Sequence, residues 1–250
     1  MTTPLKFLLI NPRVSDTDKN VFGYRVFPLG LGILAAILEE NGITVTVFDI
    51  RLESLEREQV RTRLRSLLPE HDVVGISAIV NCLSYVEWLS EEIKTIKPSA
   101  TILLGGSICT SVLPLLANTT ACDIFCIGEG EQTILELVAH IREGLALEQI
   151  KGIAFRNEQN ELVTTPARER LKELDSTPLP AYHLFDTQAY ADLPSRIPNV
   201  GKHMTIIAGR GCPFSCTYCL PAFGRKVVLR LPQRLIEEIA FLVLRRLMWN

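Results

Sequence analysis

Several features that would assign this 250-residue chain quickly are absent from it. No apolar run reaches the roughly 18 residues that a membrane span needs. The first apolar run, LKFLLI, ends at Asn11-Pro12-Arg13 before it could form the core of a secretion signal. The formal net charge is only −2, so bulk charge indicates neither nucleic acid nor another strongly charged partner. These absences predict a cytoplasmic protein with no membrane or nucleic-acid partner.

The composition is that of a globular protein. Hydrophobic residues make up 47% of the chain and charged residues 22%, which is enough apolar material for a buried core. The length suits one large domain, or one ordinary domain and part of another. Seven cysteines in a reducing compartment more often bind metal than form disulfides.

The first part of the chain alternates short apolar runs with helical patterns. We predict strands at 5–10, 43–50, 72–79, 101–104 and 123–127, and helices at 29–41, 53–68, 83–96 and 130–142, with a short helical piece at 108–117 limited by Pro114. Repeated strand–helix alternation predicts an α/β fold with a doubly wound, five-stranded parallel sheet of the Rossmann-like type. The alternating run at 43–50 suits an edge strand.

The pattern changes after residue 148. KGIAFR, NEQN and ELVTTP predict a strand, a turn and a strand, and a proline-rich stretch follows. A strand at 204–208 then leads into a cysteine-rich loop and a last helix from Pro232. We therefore predict three parts: a domain at 1–148, a hairpin and linker at 149–203, and a further piece at 204–250.

The loop GRGCPFSCTYCL contains Cys212, Cys216 and Cys219 in the spacing CxxxCxxC. A structural zinc site would need a fourth ligand, and no later Cys or His follows the loop. A disulfide is disfavoured by the compartment and by the odd number of thiols. Three thiolates suit a 4Fe-4S cluster that leaves one iron open to a substrate or cosubstrate.

Small residues follow three of the predicted strands. Ser77 ends the third strand, Gly105-Gly106 ends the fourth, and GEGE at 128–131 follows the fifth. Carboxyl ends of parallel strands meet at one edge of the sheet, where such folds bind ligands. Glycines there permit close approach of a large ligand to the backbone, although in many such domains they only turn the chain. Glu129 and Glu131 are either ligand contacts or charges at a helix N-terminus.

CxxxCxxC after a strand, with Tyr218 before the third cysteine, resembles the radical S-adenosylmethionine (SAM) enzymes. The resemblance implies that Cys212, Cys216 and Cys219 ligate three irons of a 4Fe-4S cluster. It implies that SAM binds the fourth iron, with Tyr218 against its adenine, and that one electron from the cluster cleaves SAM to a 5′-deoxyadenosyl radical.

The order PLGLGILAAILEENG, VGIS, LLGG, GEGE and GIAFR before CxxxCxxC resembles the cobalamin-binding radical SAM proteins, up to about residue 231. The resemblance implies a corrin over the carboxyl edge of the sheet and a loop at 11–30 beside it. The implied contacts are Ser77, Ala78, Ile79, Val80, Gly105, Gly106, Ser107, Gly128, Glu129, Gly130 and Glu131. Many cobalamin domains carry DxHxxG, but no His lies between Asn11 and Gly32, so we expect no His ligand to cobalt.

The two cofactors imply methylation of an unreactive carbon in a small-molecule substrate. The alternatives are an oxidative cyclisation or rearrangement of the tetrapyrrole cyclase type, and a cobalamin-binding module without catalysis. A flavodoxin or ferredoxin would supply electrons. The family's partial barrel has several strand–helix units and this chain has one, so we expect a truncated chain that is inactive alone, or one completed by a separate chain.

Overall fold

The computed structural model describes residues 5–14, 26–194 and 199–244. A seven-stranded sheet in the order β2-β1-β3-β4-β5-β6-β7 organises the fold. Its strands are β1 (Lys6–Ile10), β2 (Thr44–Phe48), β3 (Val73–Ser77), β4 (Thr101–Gly105), β5 (Ile124–Cys126), β6 (Ile153–Arg156) and β7 (Leu162–Thr164). The first five strands pair in parallel, with β2 at one edge, so the predicted α/β fold and its parallel sheet are confirmed.

The predicted hairpin extends this sheet. Strand β6 pairs antiparallel with β5, and β7 pairs antiparallel with β6. Ile153, Ala154 and Phe155 are all buried, so β6 gains cover on both faces by joining the sheet. The predicted boundary at residue 148 therefore falls inside one continuous sheet.

Eight helices accompany the strands within the described residues. They are α1 (Leu29–Glu40), α2 (Ile50–Glu53), α3 (Arg57–Leu67), α4 (Leu83–Ile96), α5 (Ser107–Thr119), α6 (Glu131–Glu143), α7 (Thr187–Ala191) and α8 (Pro232–Leu244). None of these described helices has both the length and the apolar character that a membrane crossing requires.

Two helix predictions were wrong in detail. The helix predicted at 53–68 is α3, which begins four residues later, at Arg57, because Ser54 adopts a left-handed φ of 54° and ends the preceding short helix α2. The short piece predicted at 108–117 lies within α5, which is longer than predicted and consists of two helical pieces joined across a kink. Its backbone leaves helical geometry at Val112 (φ −140°), and this break accommodates Pro114, which cannot donate a helical hydrogen bond.

The sheet is covered on both faces. Leu8 and Leu9 are neighbours in β1, and because side chains alternate along a strand they enter two separate hydrophobic cores. Helices α1 and α6 cover one face, and α3, α4 and α5 cover the other. The proline-rich segment, although largely irregular as predicted, packs on the first of these cores. Its Tyr182, Phe185 and Tyr190 rings lie 4.9, 4.8 and 5.4 Å from the Phe27 ring.

The strand predicted at 204–208 was wrong. The described residues in that stretch have no strand partner, and a strand exists only where a neighbour completes its hydrogen bonds. Pairing begins later, where β8 (Gly209–Arg210) lies antiparallel to β9 (Val228–Leu229). Helix α8 begins at Pro232, the position from which the last helix was predicted.

Candidate functional site

A cleft lies at the carboxyl edge of the parallel strands, between the sheet and helices α1 and α6. It holds about 810 Å³ of space, part of it open to solvent. Its walls are mostly apolar, with Leu9, Leu31, Leu34 and Leu103 among the lining residues. Seven predicted contacts line it: Ser77, Gly105, Gly106, Gly128, Glu129, Gly130 and Glu131. The structure therefore brings the small residues of three strand ends into one cavity.

The other predicted contacts lie outside this cleft. Ala78, Ile79 and Ser107 line a neighbouring groove together with Asn11 and Gly106. Val80 lines neither cavity, and 44% of it is exposed. Part of the predicted loop at 11–30, residues 15–25, lies outside the described residues.

The glycines of the cleft have two different roles. Gly106 has a φ of 92°, and a Cβ there would lie 2.2 Å from the Ala78 carbonyl oxygen, so this glycine allows a tight turn. At Gly30 and Gly128 a Cβ would meet nothing within 4 Å, so the space above them is open. A bare backbone floor between apolar walls fits a large, flat ligand with a polar rim. This lining is the kind that the corrin implied by the sequence resemblance would need.

The acidic residues of GEGE bind an arginine from the cysteine segment. Arg210 donates from one guanidinium nitrogen to Glu129 Oε1 (2.9 Å) and from the other to Glu131 Oε1 (2.5 Å). All three side chains are at most 10% exposed. Burial alone would lower the pKa of Arg210, but the two carboxylates outweigh it and raise that pKa. Arg210 therefore remains a buried cation at the wall of the cleft.

The sequence analysis missed this arrangement, which we call the Arg210 bridge (Arg210, Glu129 and Glu131). It assigned Glu129 and Glu131 to a ligand or to a helix N-terminus, and it gave Arg210 no role. Two features of the sequence could have indicated this pairing. One is the pair of acidic residues after a buried strand, and the other is the arginine with a glycine on each side of it in the sequence. Their separation of about eighty residues hid the pairing.

The cysteine loop projects from β8. Cys212, Cys216 and Cys219 are all free and exposed, and Tyr218 is 91% exposed. The loop is closed at its base by a hydrogen bond from the Cys212 amide to the Gly224 carbonyl (2.9 Å). Across the described residues, no three side chains of His, Cys, Asp or Glu are close enough to hold a metal ion. Three unpaired thiols on one open loop supply the donor set of a cluster, although they are not gathered around one point.

The remaining cysteines contribute nothing comparable. Cys109 is buried and donates to the Leu104 carbonyl (3.2 Å), and it does not line the cleft. Cys122 is buried, whereas Cys126 lines the cleft. Burial raises the pKa of both Cys122 and Cys126 to about 12, so neither is a thiolate at neutral pH.

A second buried arginine follows the cysteine loop. Arg230 donates to Glu238 Oε2 (2.8 Å) in α8 and to Thr177 Oγ1 (3.0 Å) in the proline-rich segment. Tyr182 donates to the other Glu238 oxygen (2.6 Å). The cysteine loop therefore lies between two arginines, one fixed to the cleft and the other to α8.

Comparison with known proteins agrees with this architecture. Residues 17–138 match the family model described as "B12 binding domain". The chain is 29% identical over 249 residues to an anaerobic magnesium-protoporphyrin IX monomethyl ester cyclase from Rubrivivax gelatinosus, covering 96% of this chain and 43% of that protein. It is 30% identical over 242 residues to an uncharacterized methyltransferase from Pyrococcus horikoshii, covering 95% and 50% respectively.

Solved structures share the fold. The radical SAM methyltransferase TsrM from Kitasatospora setae, solved with cobalamin and a 4Fe-4S cluster, has a TM-score of 0.69 at 18% identity, over 98% of this chain and 47% of that chain. The cobalamin-dependent radical SAM enzyme OxsB, solved with aqua-cobalamin and SAM, has a TM-score of 0.76 at 20% identity, over 99% and 32%. The resemblance to cobalamin-binding radical SAM proteins is thereby confirmed. The chain spans half or less of the length of these relatives.

Proposed function

We propose that the cleft binds cobalamin and that Cys212, Cys216 and Cys219 bind a 4Fe-4S cluster whose open iron takes SAM beside Tyr218. The protein to which these parts belong would methylate an unreactive carbon of a small molecule. The observation that carries this proposal is the Arg210 bridge, which joins the cleft to the segment that bears the three cysteines. This contact supports the proposal that the two binding features of the sequence belong to one site.

Each part of the chain has a definable task in this proposal. The apolar walls and glycine floor of the cleft would accept the corrin and exclude water from its buried face. The exposed thiols would ionise on binding iron and hold the cluster on the loop. When bound, cobalamin supplies the methyl-transfer centre and the cluster supplies the electron that cleaves SAM.

The described residues do not enclose the cysteine loop. Ile236, Ile239 and Val243 form an exposed apolar face on α8, and Leu229 in β9 is 68% exposed. Such a face favours a covering polypeptide. We propose that further barrel units cover it, in the same protein or a separate chain, because a radical must be shielded from water. A flavodoxin or ferredoxin in the cytoplasm would deliver the electron.

An oxidative cyclase is the second candidate. Two relatives named anaerobic magnesium-protoporphyrin IX monomethyl ester cyclase support it, from Rubrivivax gelatinosus at 29% identity and from Synechocystis at 26%. The two reactions differ in their SAM products. A methyltransferase forms S-adenosylhomocysteine when it remethylates cobalamin, whereas a cyclisation would form 5′-deoxyadenosine without it. A cobalamin-binding module without catalysis would form neither.

The test begins with anaerobic reconstitution of the 250-residue chain with iron and sulfide, and equilibrium dialysis against cyanocobalamin. We expect up to one 4Fe-4S cluster and one cobalamin per chain. We also expect that the reduced chain alone releases no 5′-deoxyadenosine in repeated turnovers. Failure to bind cyanocobalamin at micromolar concentration would refute the proposed role of the cleft, and repeated turnover would refute the need for a covering polypeptide.

A further inference from the structure

The Arg210 bridge crosses from the cysteine segment to the wall of the cleft. Arg210 lies two residues before Cys212, yet its guanidinium lies between two carboxylates at the end of β5 and the start of α6. We propose that the Arg210 bridge couples occupation of the cleft to the order of the cysteine loop, with Arg210 as a positioning residue. This inference rests on the proposed binding of cobalamin in the cleft.

The backbone on the cysteine side of the bridge has little freedom. A Cβ at Gly209 would lie 2.7 Å from a Leu229 methyl carbon, and a Cβ at Gly211 would lie 2.1 Å from the Lys226 carbonyl oxygen. The segment 209–211 is therefore pressed directly against the strand that returns from the loop. The Cys212 amide continues this contact by bonding to the Gly224 carbonyl. Any displacement of Arg210 must therefore move the base of the loop with it.

The cleft side of the bridge is equally well defined. Glu129 stands between Gly128 and Gly130, which both line the cleft. Its second carboxylate oxygen accepts a hydrogen bond from the Leu171 amide (2.7 Å), so both oxygens have partners. A ligand that contacts the backbone at 128–131 necessarily contacts the segment that holds Arg210.

These contacts provide one physical route between the two sites. A ligand that restricts the segment 128–131 makes it a firmer anchor for Arg210, and this in turn restricts the base of the cysteine loop. Coupling between binding sites is reciprocal, so an ordered loop must favour occupation of the cleft to the same degree. Without the Arg210 guanidinium, the cleft and the cysteine loop should both remain, but occupation of the cleft should no longer change the order of the loop.

The test is amide hydrogen–deuterium exchange of the 250-residue chain and its Arg210→Gln variant, with and without cyanocobalamin. Without ligand, we expect amides of residues 209–212 to exchange about tenfold faster or more in the variant, because the buried carboxylates lose their cation. In the wild type, cyanocobalamin should slow this exchange. In the variant, cyanocobalamin at a concentration that saturates the variant's own binding, as measured by equilibrium dialysis, should not slow it.

Arg168→Gln is the matched control. Arg168 bonds Glu136 and Thr133 on the same helix α6, and its hydrogen bonds within the described part of the chain do not reach the cysteine segment. Its loss should leave the ligand-dependent protection of 209–212 intact. Circular dichroism checks that each variant folds. If Arg210→Gln does not fold, Arg210→Lys keeps the charge without the two-pronged geometry and should weaken the coupling.

The outcomes separate the two proposals. Equal exchange at 209–212 in the unliganded wild type and Arg210→Gln would overturn the bridge as an anchor, whether or not cobalamin binds. Equal slowing of exchange by cyanocobalamin in both proteins would overturn the coupling while supporting the cleft. If the wild type binds no cyanocobalamin, the proposed function of the cleft fails, and the coupling fails with it.

Discussion

The sheet and the cysteine loop differ in what holds each of them in place. The sheet has apolar residues buried on both faces and hydrogen-bonded neighbours along its parallel strands. The loop has exposed thiols and depends on contacts at its two ends, where Arg210 and Arg230 are buried. The sheet therefore presents a preformed cleft. The loop is a set of donors whose geometry depends on its anchors and on what it binds.

The largest expected effect is a loss of iron binding in the cysteine loop that leaves cobalamin binding at the sheet unchanged. Replacing Cys212, Cys216 and Cys219 together by Ala should reduce iron after anaerobic reconstitution to background, because elsewhere in the described residues no three His, Cys, Asp or Glu side chains are close enough to hold a metal ion. Cyanocobalamin binding and the denaturation midpoint should not change, since the three thiols are exposed. Iron analysis and dialysis measure both quantities. Unchanged iron content in the triple variant would contradict the cluster assignment.

The free energy of unfolding should instead be sensitive to substitutions in the sheet and insensitive to substitutions in the cysteine loop. Ile102 in β4 is fully buried, so Ile102→Ala should lower the free energy of unfolding by about 2–5 kcal/mol. Phe214 in the cysteine loop is 69% exposed, and Phe214→Ala should change it by less than about 0.5 kcal/mol. Urea denaturation followed by circular dichroism compares the two variants. A large loss in Phe214→Ala would mean that the loop is packed in solution and would remove the contrast.

A smaller, local effect should come from filling the cleft. Gly30 lines the cleft, and a Cβ there meets nothing within 4 Å, so Gly30→Trp places a ring in open space. We expect cyanocobalamin affinity to fall by about tenfold or more, equivalent to about 1.4 kcal/mol. Gly30→Ala is the control, because its methyl group should leave binding intact and favour α1 slightly. Iron loading should be normal in both. Normal cobalamin affinity in Gly30→Trp would place the ligand elsewhere.

The sequence predicted the sheet well because local patterns determine it. Apolar runs of strand length indicate where the strands lie, and Gly42 and Gly144 mark where α1 and α6 stop, since both helices end within two residues before these glycines. The small residues at 77, 105–106 and 128–131 indicated the cleft. What escaped prediction depends on pairing over long distances. Three features depend on which segments meet in space. They are the pairing of β6 with β5, the absence of a strand at 204–208, and the Arg210 bridge.

The smallest expected effect concerns the attachment of the proline-rich segment to the sheet. Asp49, at the end of β2, accepts hydrogen bonds from Tyr190 Oη (2.5 Å), Asn11 Nδ2 (2.8 Å) and the Leu52 amide (3.1 Å). Burial raises the pKa of Asp49 above its ordinary value of 3.8, and these hydrogen bonds offset only part of that shift. The Asp49 carboxyl therefore keeps its proton in the folded protein at pH values where the same carboxyl has lost it in the unfolded chain.

The sign of the pH dependence follows from this difference. Because the folded state binds more protons, the contribution of Asp49 to stability falls as pH rises from about 3.8 to the raised folded-state pKa, and it is constant above that value. Asp49→Asn cannot ionise and should lack this decline, so its stability relative to wild type should improve across the same window. The limit is about 1.4 kcal/mol for each unit by which the pKa is raised.

Urea denaturation at a series of pH values between 4 and 7 measures this difference. Asp192→Asn is the control that should show no such change between pH 4 and 7, because a hydrogen bond from Gln188 lowers the pKa of Asp192 and its contribution is lost only as pH falls below about 3.8. If the wild type and Asp49→Asn lose stability in parallel as pH rises, the carboxylate is not desolvated in solution. The contact between Tyr190 and the sheet would then be open to water, and the aromatic packing on Phe27 would be left as the main attachment of the proline-rich segment.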